Sequence, residues 1–446
     1  MKDYNEMAQS VLARIDTERA KNRRRRRIAL SGVSAVCILL AVSVLIGYMG
    51  RDGGNVGPAL YVEAADLMDG ITAEDIEGRR TDKTFKKNQM RLTVELFQHT
   101  AAASEGENMM ISPLSIQLAL AMTANGADGK TLSEMEKVLG GSISIDKLNE
   151  YLYTYQNALP STEKTKFDIA NSIWFRDTFG VNQNFLQTNA DYYGAAAYRS
   201  PFDDQTVKDI NNWVNQNTDG MIDEMVQSID PDTMMYLINA IVFDGKWKAT
   251  YSESDVIKSS FYAYNGTKQN AKYMYSKEEI YLDDGKATGF RKPYSGGDYS
   301  FAALLPNEGT DIYDYIAGLS GDGLRQSLDK AKSTKVHAYL PKFESDYSIS
   351  LNGILSDMGM PTAFSMEADF SGISDIETFI SEVLHKTHIT VDENGTKAAA
   401  VTSVENTYKG VDDSYYVRLD RPFVYMIVDN KTNLSVFIGV LTEVGE

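Results

Sequence analysis

The chain has 446 residues and a formal net charge of −18 at pH 7, with 62 Asp and Glu against 44 Lys and Arg. This acidic balance repels the phosphate backbone of nucleic acids and excludes nucleic acid as the main partner. The single cysteine, Cys37, lies near the N-terminus. The rest of the chain therefore forms no disulfide and must be stabilised by its hydrophobic core.

The N-terminal segments differ in character from the rest of the chain. Residues 1–27 are basic and end in five consecutive arginines, and residues 28–48, 21 in number, carry no charge. As a helix the uncharged segment would span about 31 Å, and arginines beside such a span mark its cytoplasmic side. We therefore predict a cytoplasmic tail (1–27), a transmembrane helix or uncleaved signal anchor (28–48) and a tether and lead-in (49–84), with the body, residues 85–446, outside the cell membrane.

A cleaved secretory signal is the alternative for the same segment. Gly57-Pro58-Ala59 offers a late cleavage site, although the basic region and the apolar stretch are both longer than in most signals. Cleavage there would produce a secreted protein in place of a single-pass membrane protein.

Apolar periodicity and capping residues predict five helices in the body. Ser112-Pro113 is typical of an N-cap followed by proline at the first helical position. The run from Thr131 to Glu134 has the capping-box pattern, and Gly140-Gly141 ends that helix. The predicted helices are residues 85–102, 113–124, 131–139, 207–218 and 351–358.

Alternating or continuous apolar runs predict the strands, and a polar turn at residues 429–433 predicts a hairpin. Strands and helices are mixed without a βαβ rhythm, which indicates an α+β fold. The predicted strands are residues 167–175, 235–243, 299–305, 336–343 and 383–391, with the hairpin formed by 423–428 and 435–441.

The sequence offers no enzyme site. The four histidines, His99, His337, His385 and His388, do not occur in a metal-binding motif, and there is no nucleophile elbow or phosphate-binding loop. His385 and His388 lie on opposite faces of one predicted strand, so they cannot easily share a ligand. We expect neither catalysis nor a metal or cofactor.

Residues 392–403 contain an unusual run of small side chains. Read as a strand, one face carries Thr396, Ala398, Ala400 and Thr402, all small and uncharged. Lys397, Ala399, Val401 and Ser403 form the other face. A segment that enters between two existing strands needs one small face, because protein interiors leave no room for new bulk. By composition alone the run is also typical of a solvated, flexible loop.

The pattern Glu393-x-Gly395-Thr396-x-Ala398-Ala399-Ala400 resembles the hinge of the serpin family. Other segments of the body resemble the family in the same order, over roughly residues 85–446. The resemblance implies one α+β domain with three β-sheets, eight or nine helices and an exposed reactive-centre loop. The supporting segments are residues 111–116, 125–131, 237–243, 245–247, 340–343, 368–372, 385–387 and 420–423.

The resemblance also implies a mechanism. A suicide inhibitor of serine endopeptidases holds the loop from Glu393 to about Asp413 outside the body, is cut there, and traps the acyl-enzyme as the hinge inserts into the central sheet. Family spacing places the bait residue sixteen positions after Glu393, at Lys409, with Lys409–Gly410 as the reactive bond. Lysine suits a trypsin-like protease, whereas a one-residue shift would make Tyr408 the bait and favour a chymotrypsin-like one.

Two further groups of residues match family positions. Ser112, Ser115, Asn239 and His385 would form a buried cluster where the central sheet opens, although His385 alone is also typical of a hydrogen-bonded core histidine. Lys342 and Glu393 would form an ion pair at the top of the sheet near Trp247. Without the family, these are two solvated charges and a core tryptophan.

Two other functions stay open within the same fold. The chain could be a non-inhibitory serpin that acts as a binding or carrier module, although such members tend to break the small face of the hinge. It could also inhibit papain-like cysteine proteases. A membrane-bound enzyme is the remaining class, and the sequence contains no site for one.

Overall fold

The computed structural model describes residues 63–230, 232–396 and 414–445, and residues 64–446 form one compact unit. Nine α-helices lie in these described ranges, which agrees with the eight or nine that the resemblance to the family implies. They are α1 (Lys83–Ala103), α2 (Pro113–Ala124), α3 (Gly129–Leu139), α4 (Ile145–Ala158), α5 (Gln183–Tyr193), α6 (Asp204–Asn217), α7 (Ile312–Ala317), α8 (Gly321–Asp329) and α9 (Asn352–Asp357).

Sixteen strands accompany them in the same ranges. The first eight are β1 (Ala65–Asp66), β2 (Met109–Ile111), β3 (Thr165–Arg176), β4 (Ala196–Ser200), β5 (Met235–Lys246), β6 (Val256–Tyr262), β7 (Lys268–Asp283) and β8 (Ala287–Pro293). The others are β9 (Tyr299–Pro306), β10 (Lys332–Pro341), β11 (Phe343–Ser350), β12 (Glu382–Val391), β13 (Gly395–Thr396), β14 (Tyr415–Arg418), β15 (Phe423–Asp429) and β16 (Leu434–Leu441). The predicted α+β class is confirmed.

The strands pair into two sheets, where the sequence analysis expects three. Seven strands follow the order β1-β4-β3-β5-β13-β12-β11, and nine belong to a second sheet with the order β14-β10-β7-β8-β9-β15-β16-β2, to which β6 is added beside β7. The strand β7 is 16 residues long and pairs with β6, β8 and β10 along its length. It thereby joins β6, β8 and β10, and the strands that pair with them, into one sheet.

The predicted start of α2 is confirmed, and that of α3 is wrong. Ser112 accepts a hydrogen bond from the Ser115 N–H, and Pro113 is the first helical residue. The helix α3 begins at Gly129 with Asp128 as its N-cap, so Thr131 lies inside the helix. Its hydroxyl instead accepts from the Asp369 N–H, because a tertiary contact has taken the side chain that a capping box would use.

The helix α2 is the centre of the molecule. Each of its 12 residues is buried, and it packs against α1, β5 and β16, so it lies between elements of both sheets. An all-round buried helix cannot be amphipathic. Its polar residues must therefore find partners inside the core, and Ser115 does so on β5.

The predicted localisation needs correction. In the parts of the chain that the structure describes, no helix is long and apolar enough to cross a membrane. The helix α1 has 21 residues but carries five charged side chains. This finding overturns the predicted single-pass placement in the cell membrane, whose span at residues 28–48 lies outside the described ranges.

Candidate functional site at the opening of the seven-stranded sheet

The centre of the seven-stranded sheet is only partly closed. The parallel strands β5 and β12 pair directly over four residues, from Tyr236–Glu382 to Asn239–His385. At the other end β13 lies between them, where Gly395 and Thr396 pair with β5 and Thr396 pairs with β12. Between these two contacts, residues 240–243 of β5 have no partner strand on this edge within the described ranges.

The four predicted cluster residues meet where direct pairing of β5 and β12 ends. Ser115 Oγ donates to Asn239 Oδ1 over 2.6 Å, and Asn239 Nδ2 donates to the Ser115 carbonyl over 3.0 Å. The Ser112 N–H donates to His385 Nε2 over 3.1 Å, and His385 Nδ1 lies 3.2 Å from Asn239 Oδ1. All four residues are buried, so the cluster ties both strands to α2 by hydrogen bonds alone.

The partners of His385 determine its protonation. Since Nε2 accepts from a backbone N–H, the proton of the neutral ring is on Nδ1, which donates to Asn239. Burial lowers the pKa of His385 to about 3, because no carboxylate is there to stabilise a charged ring. The ring is therefore a neutral link between the strands.

The structure adds residues that the sequence analysis missed. Asn171 of β3 accepts from Asn239 Nδ2, and Thr387 Oγ1 donates to the Met110 carbonyl over 2.8 Å. Thr387 could have been found, because it lies two residues after His385 and so shares its face of the strand. Asn171 offers no such signal, since its contact depends on the register between β3 and β5.

The structure also brings together the predicted residues at the top of the sheet. Lys342 Nζ lies 2.8 and 2.7 Å from the two carboxylate oxygens of Glu393. Burial raises the pKa of Glu393. The hydrogen bond from Lys342 and the nearby positive charge lower the pKa by a larger amount, so the net pKa lies below its usual value. Trp247 is buried and donates its N–H to the Asn394 carbonyl and its Nε1 to the Asp392 carbonyl, both over 2.8 Å.

The start of the loop is inside the sheet, which corrects the expectation that the chain leaves the body at Glu393. Thr396 is buried in β13, and its Oγ1 lies 2.7 Å from the Tyr294 hydroxyl. Polar pairing of this kind lets a small hydroxyl side chain stay in the core. The other predicted loop residues, Ala398, Ala399, Ala400, Tyr408, Lys409 and Gly410, lie outside the described ranges.

The neutral His385 makes the stability of this protein sensitive to mild acid. Its pKa is lower in the folded state than the usual 6.5, so the unfolded chain binds the proton first. The contribution of neutral His385 to the free energy of unfolding is complete above about pH 6.5. It declines as the pH falls towards about 3, by up to about 1.4 kcal/mol per pH unit. Urea unfolding at pH 7.5 and 5.0 should show a smaller loss for His385→Gln than for the parent. Equal losses would contradict the assignment.

A side chain at residue 395 should detach β13. The Cβ of Gly395→Ala would collide with the Gly245 carbonyl and the Lys246 backbone. We expect amide hydrogen exchange of Trp247, whose N–H donates to Asn394, to rise by about tenfold.

Gly353→Ala is the matched control, because Gly353 lies in α9 with open space where a Cβ would be. It should leave exchange at Trp247 unchanged. Parental exchange at Trp247 in Gly395→Ala would show that β13 is not paired as described.

Solved structures with this architecture are serpins. The native state of the thermophilic serpin tengpin is 47% identical, with a TM-score of 0.83, and the match covers 86% of this chain and 100% of tengpin. The latent state of tengpin gives a lower TM-score of 0.74, with 46% identity and coverage of 82% and 100%.

The sequence comparisons agree. The family profile Serpin (serine protease inhibitor) matches residues 87–444. An uncharacterised serpin-like protein of Thermococcus kodakarensis is 31% identical over 78% of this chain and 83% of its own length. Human neuroserpin is 29% identical over 82% of this chain and 93% of its own length. The chain therefore belongs to the serpin family.

Proposed function

We propose that this chain is a suicide inhibitor of serine endopeptidases with trypsin-like specificity, cut at Lys409–Gly410. Membership of the family supports protease inhibition in general terms. The protease serine attacks the Lys409 carbonyl, the bond to Gly410 breaks, and an ester joins Lys409 to the protease. In this reaction the chain is a substrate that retains the protease, not a catalyst.

The observation that carries the proposal is the position of β13. Gly395 and Thr396 already occupy the opening between β5 and β12, and residues 240–243 of β5 have no partner strand on that edge in the described ranges. Once the loop is cut, each following hinge residue can extend this strand. Each new backbone hydrogen bond contributes about 1 kcal/mol, so the insertion of several residues is thermodynamically favourable.

After cleavage, the strands on either side of the loop determine which of the two new chain ends moves. The chain after Gly410 leads into β14, β15 and β16, which are held in the second sheet. The N-terminal side continues from the two-residue strand β13, beside residues 240–243 of β5, which have no partner strand on that edge in the described ranges. Insertion therefore carries Lys409, with the attached protease, away from Gly410, and distorts the protease before water can hydrolyse the ester.

The cleavage site is directly testable. Incubation with trypsin should produce a complex that survives a denaturing gel, together with a C-terminal fragment of 37 residues that begins at Gly410. Mass spectrometry reads the first residue of that fragment.

Parallel incubations with chymotrypsin and papain separate the alternatives. A fragment that starts at Lys409 would move the bait to Tyr408, and a complex with papain alone would assign the cysteine-protease class. No covalent complex with any of the three would favour the non-inhibitory binding or carrier function.

A second experiment tests insertion itself. Thr396 is unsuitable for it, because a charge there would disturb the uncut protein, where this side chain is already buried. Ala398 is the next residue whose side chain should point inward, by strand alternation. Ala398→Arg would place an unpaired charge in the core of the inserted state only.

Ala398→Arg should therefore be cleaved at the same bond but release active protease. Ala399→Arg is the matched control, with the same new side chain one position along on the outward face, and it should still inhibit. Residual trypsin activity and the yield of complex measure both effects. Equal trapping by the two variants would mean that the hinge does not insert with this register.

A further inference from the structure

A buried ion pair lies beneath the top of the seven-stranded sheet. Nζ of Lys292 on β8 and Oε1 of Glu278 on β7 are 3.0 Å apart, with 2% and 7% of the two side chains exposed. Removing both charges from water is costly, and their mutual attraction offsets this only with good additional contacts. The proposed inhibitory mechanism gives this pair no role.

The contacts of Lys292 converge on one short segment, residues 247–251. Its Nζ donates to the Ala249 carbonyl over 3.1 Å. The same ammonium lies 4.2 Å from the centre of the Tyr251 ring and 5.4 Å from that of Trp247, which are cation–π distances. This segment follows the end of β5, and apart from a single bridge at Trp247 it is irregular, so its shape depends on such contacts.

The charge of Lys292 is retained in this site. Burial lowers its pKa, while the neighbouring Tyr251 and Glu278 raise it by more, so the net pKa is raised. Glu278 is in turn held by Ser276, whose Oγ donates to it over 2.6 Å. Lys292 is thus a fixed, charged support for this segment.

The segment contacted by Lys292 also holds the hinge. The N–H of Trp247 donates to the Asn394 carbonyl, its Nε1 to that of Asp392, and the N–H of Tyr251 to that of Glu393 over 2.9 Å. Three successive hinge carbonyls therefore depend on donors from two residues whose rings contact the same ammonium.

We propose that Lys292 is a positioning residue for loop insertion: its ammonium, neutralised by Glu278, holds residues 247–251 in the shape that docks the hinge. The consequence for inhibition rests on the function proposed above. With the hinge docked, insertion starts from Thr396 at once after cleavage. With the segment loose, the start is delayed, and more ester is hydrolysed before the protease is distorted.

The test removes both charges together, because Lys292→Met alone would leave the Glu278 carboxylate buried without its counter-ion. In Lys292→Met/Glu278→Gln, the amides of Trp247 and Tyr251 should exchange hydrogen about tenfold faster or more. With trypsin, the number of inhibitor molecules cleaved per protease trapped should rise several-fold. The rate of the first cleavage at Lys409 should not change, since the bait residue is unaltered.

The matched control is Lys332→Met/Asp283→Asn. Lys332 of β10 also pairs with a carboxylate on β7, at 3.1 Å, and also lies over two tyrosine rings, Tyr281 and Tyr415. Removing this pair should change neither amide exchange at the hinge nor the trapping ratio. This control separates the general effect of losing an ion pair on β7 from the specific effect of losing hinge docking.

Four outcomes decide the proposal. A folded Lys292→Met/Glu278→Gln variant with parental exchange at Trp247 and Tyr251 would overturn it, and so would an equal rise in the control. If that variant does not fold, Glu278→Gln alone, which keeps an acceptor for Lys292, must still raise exchange at both amides. If the parent traps no protease, the proposed function fails, and amide exchange alone then decides whether Lys292 docks the hinge.

Discussion

The fold depends on a β-ladder between β5 and β12 that the described residues leave incomplete. Direct pairing at one end and the two residues of β13 at the other leave an open stretch between them. An unpaired strand edge inside a sheet is energetically unfavourable, because its backbone groups lack their ladder partners. On the function proposed above, residues that follow Thr396 complete this ladder once the loop is cut, and the direct pairing of β5 with β12 holds the strands in place until then.

The side chains below the opening suit the separation of β5 and β12 that the proposed insertion requires. Interlocked apolar side chains would leave voids when β5 and β12 move apart, which is costly in a close-packed core. The cluster of Ser112, Ser115, Asn239 and His385 is joined by hydrogen bonds, which can be exchanged for others of similar strength. The same choice makes the cluster sensitive to acid, because it needs a neutral histidine.

The sequence predicts local features well where neighbouring residues determine them. The N-cap at Ser112, the 423–441 hairpin and the inward side chain of Thr396 follow from turn chemistry and from the two-residue period of strands. The predicted start of α3 is wrong because Thr131 bonds to a residue more than 200 positions away. The expected number of sheets differs from the observed number because the strands that pair along β7 are distant in the sequence.

Lys292 shows another limit of sequence analysis. In the run Arg291-Lys292-Pro293 the two basic residues resemble a solvated turn, yet both are buried. Arg291 donates to Asn433 and to the Leu328 carbonyl, while Lys292 reaches Ala249 and Glu278. Alternation sends the two to opposite faces of a strand that is covered on both sides. Nothing in the local sequence distinguishes such a strand from one with an exposed face.

The long strand β7 also relates the two ends of the reactive loop. Glu278, which supports the hinge through Lys292, is in register with Val336 of β10, and Val336 is in register with Tyr415 of β14. The residues that support the loop at its start and receive it at its end thus lie in one row across three hydrogen-bonded strands. The supports on either side of the 17 residues 397–413 are therefore linked through β7. On the function proposed above, substitutions within those residues change which protease is recognised while the supports stay where they are, so that target choice and trapping can evolve separately.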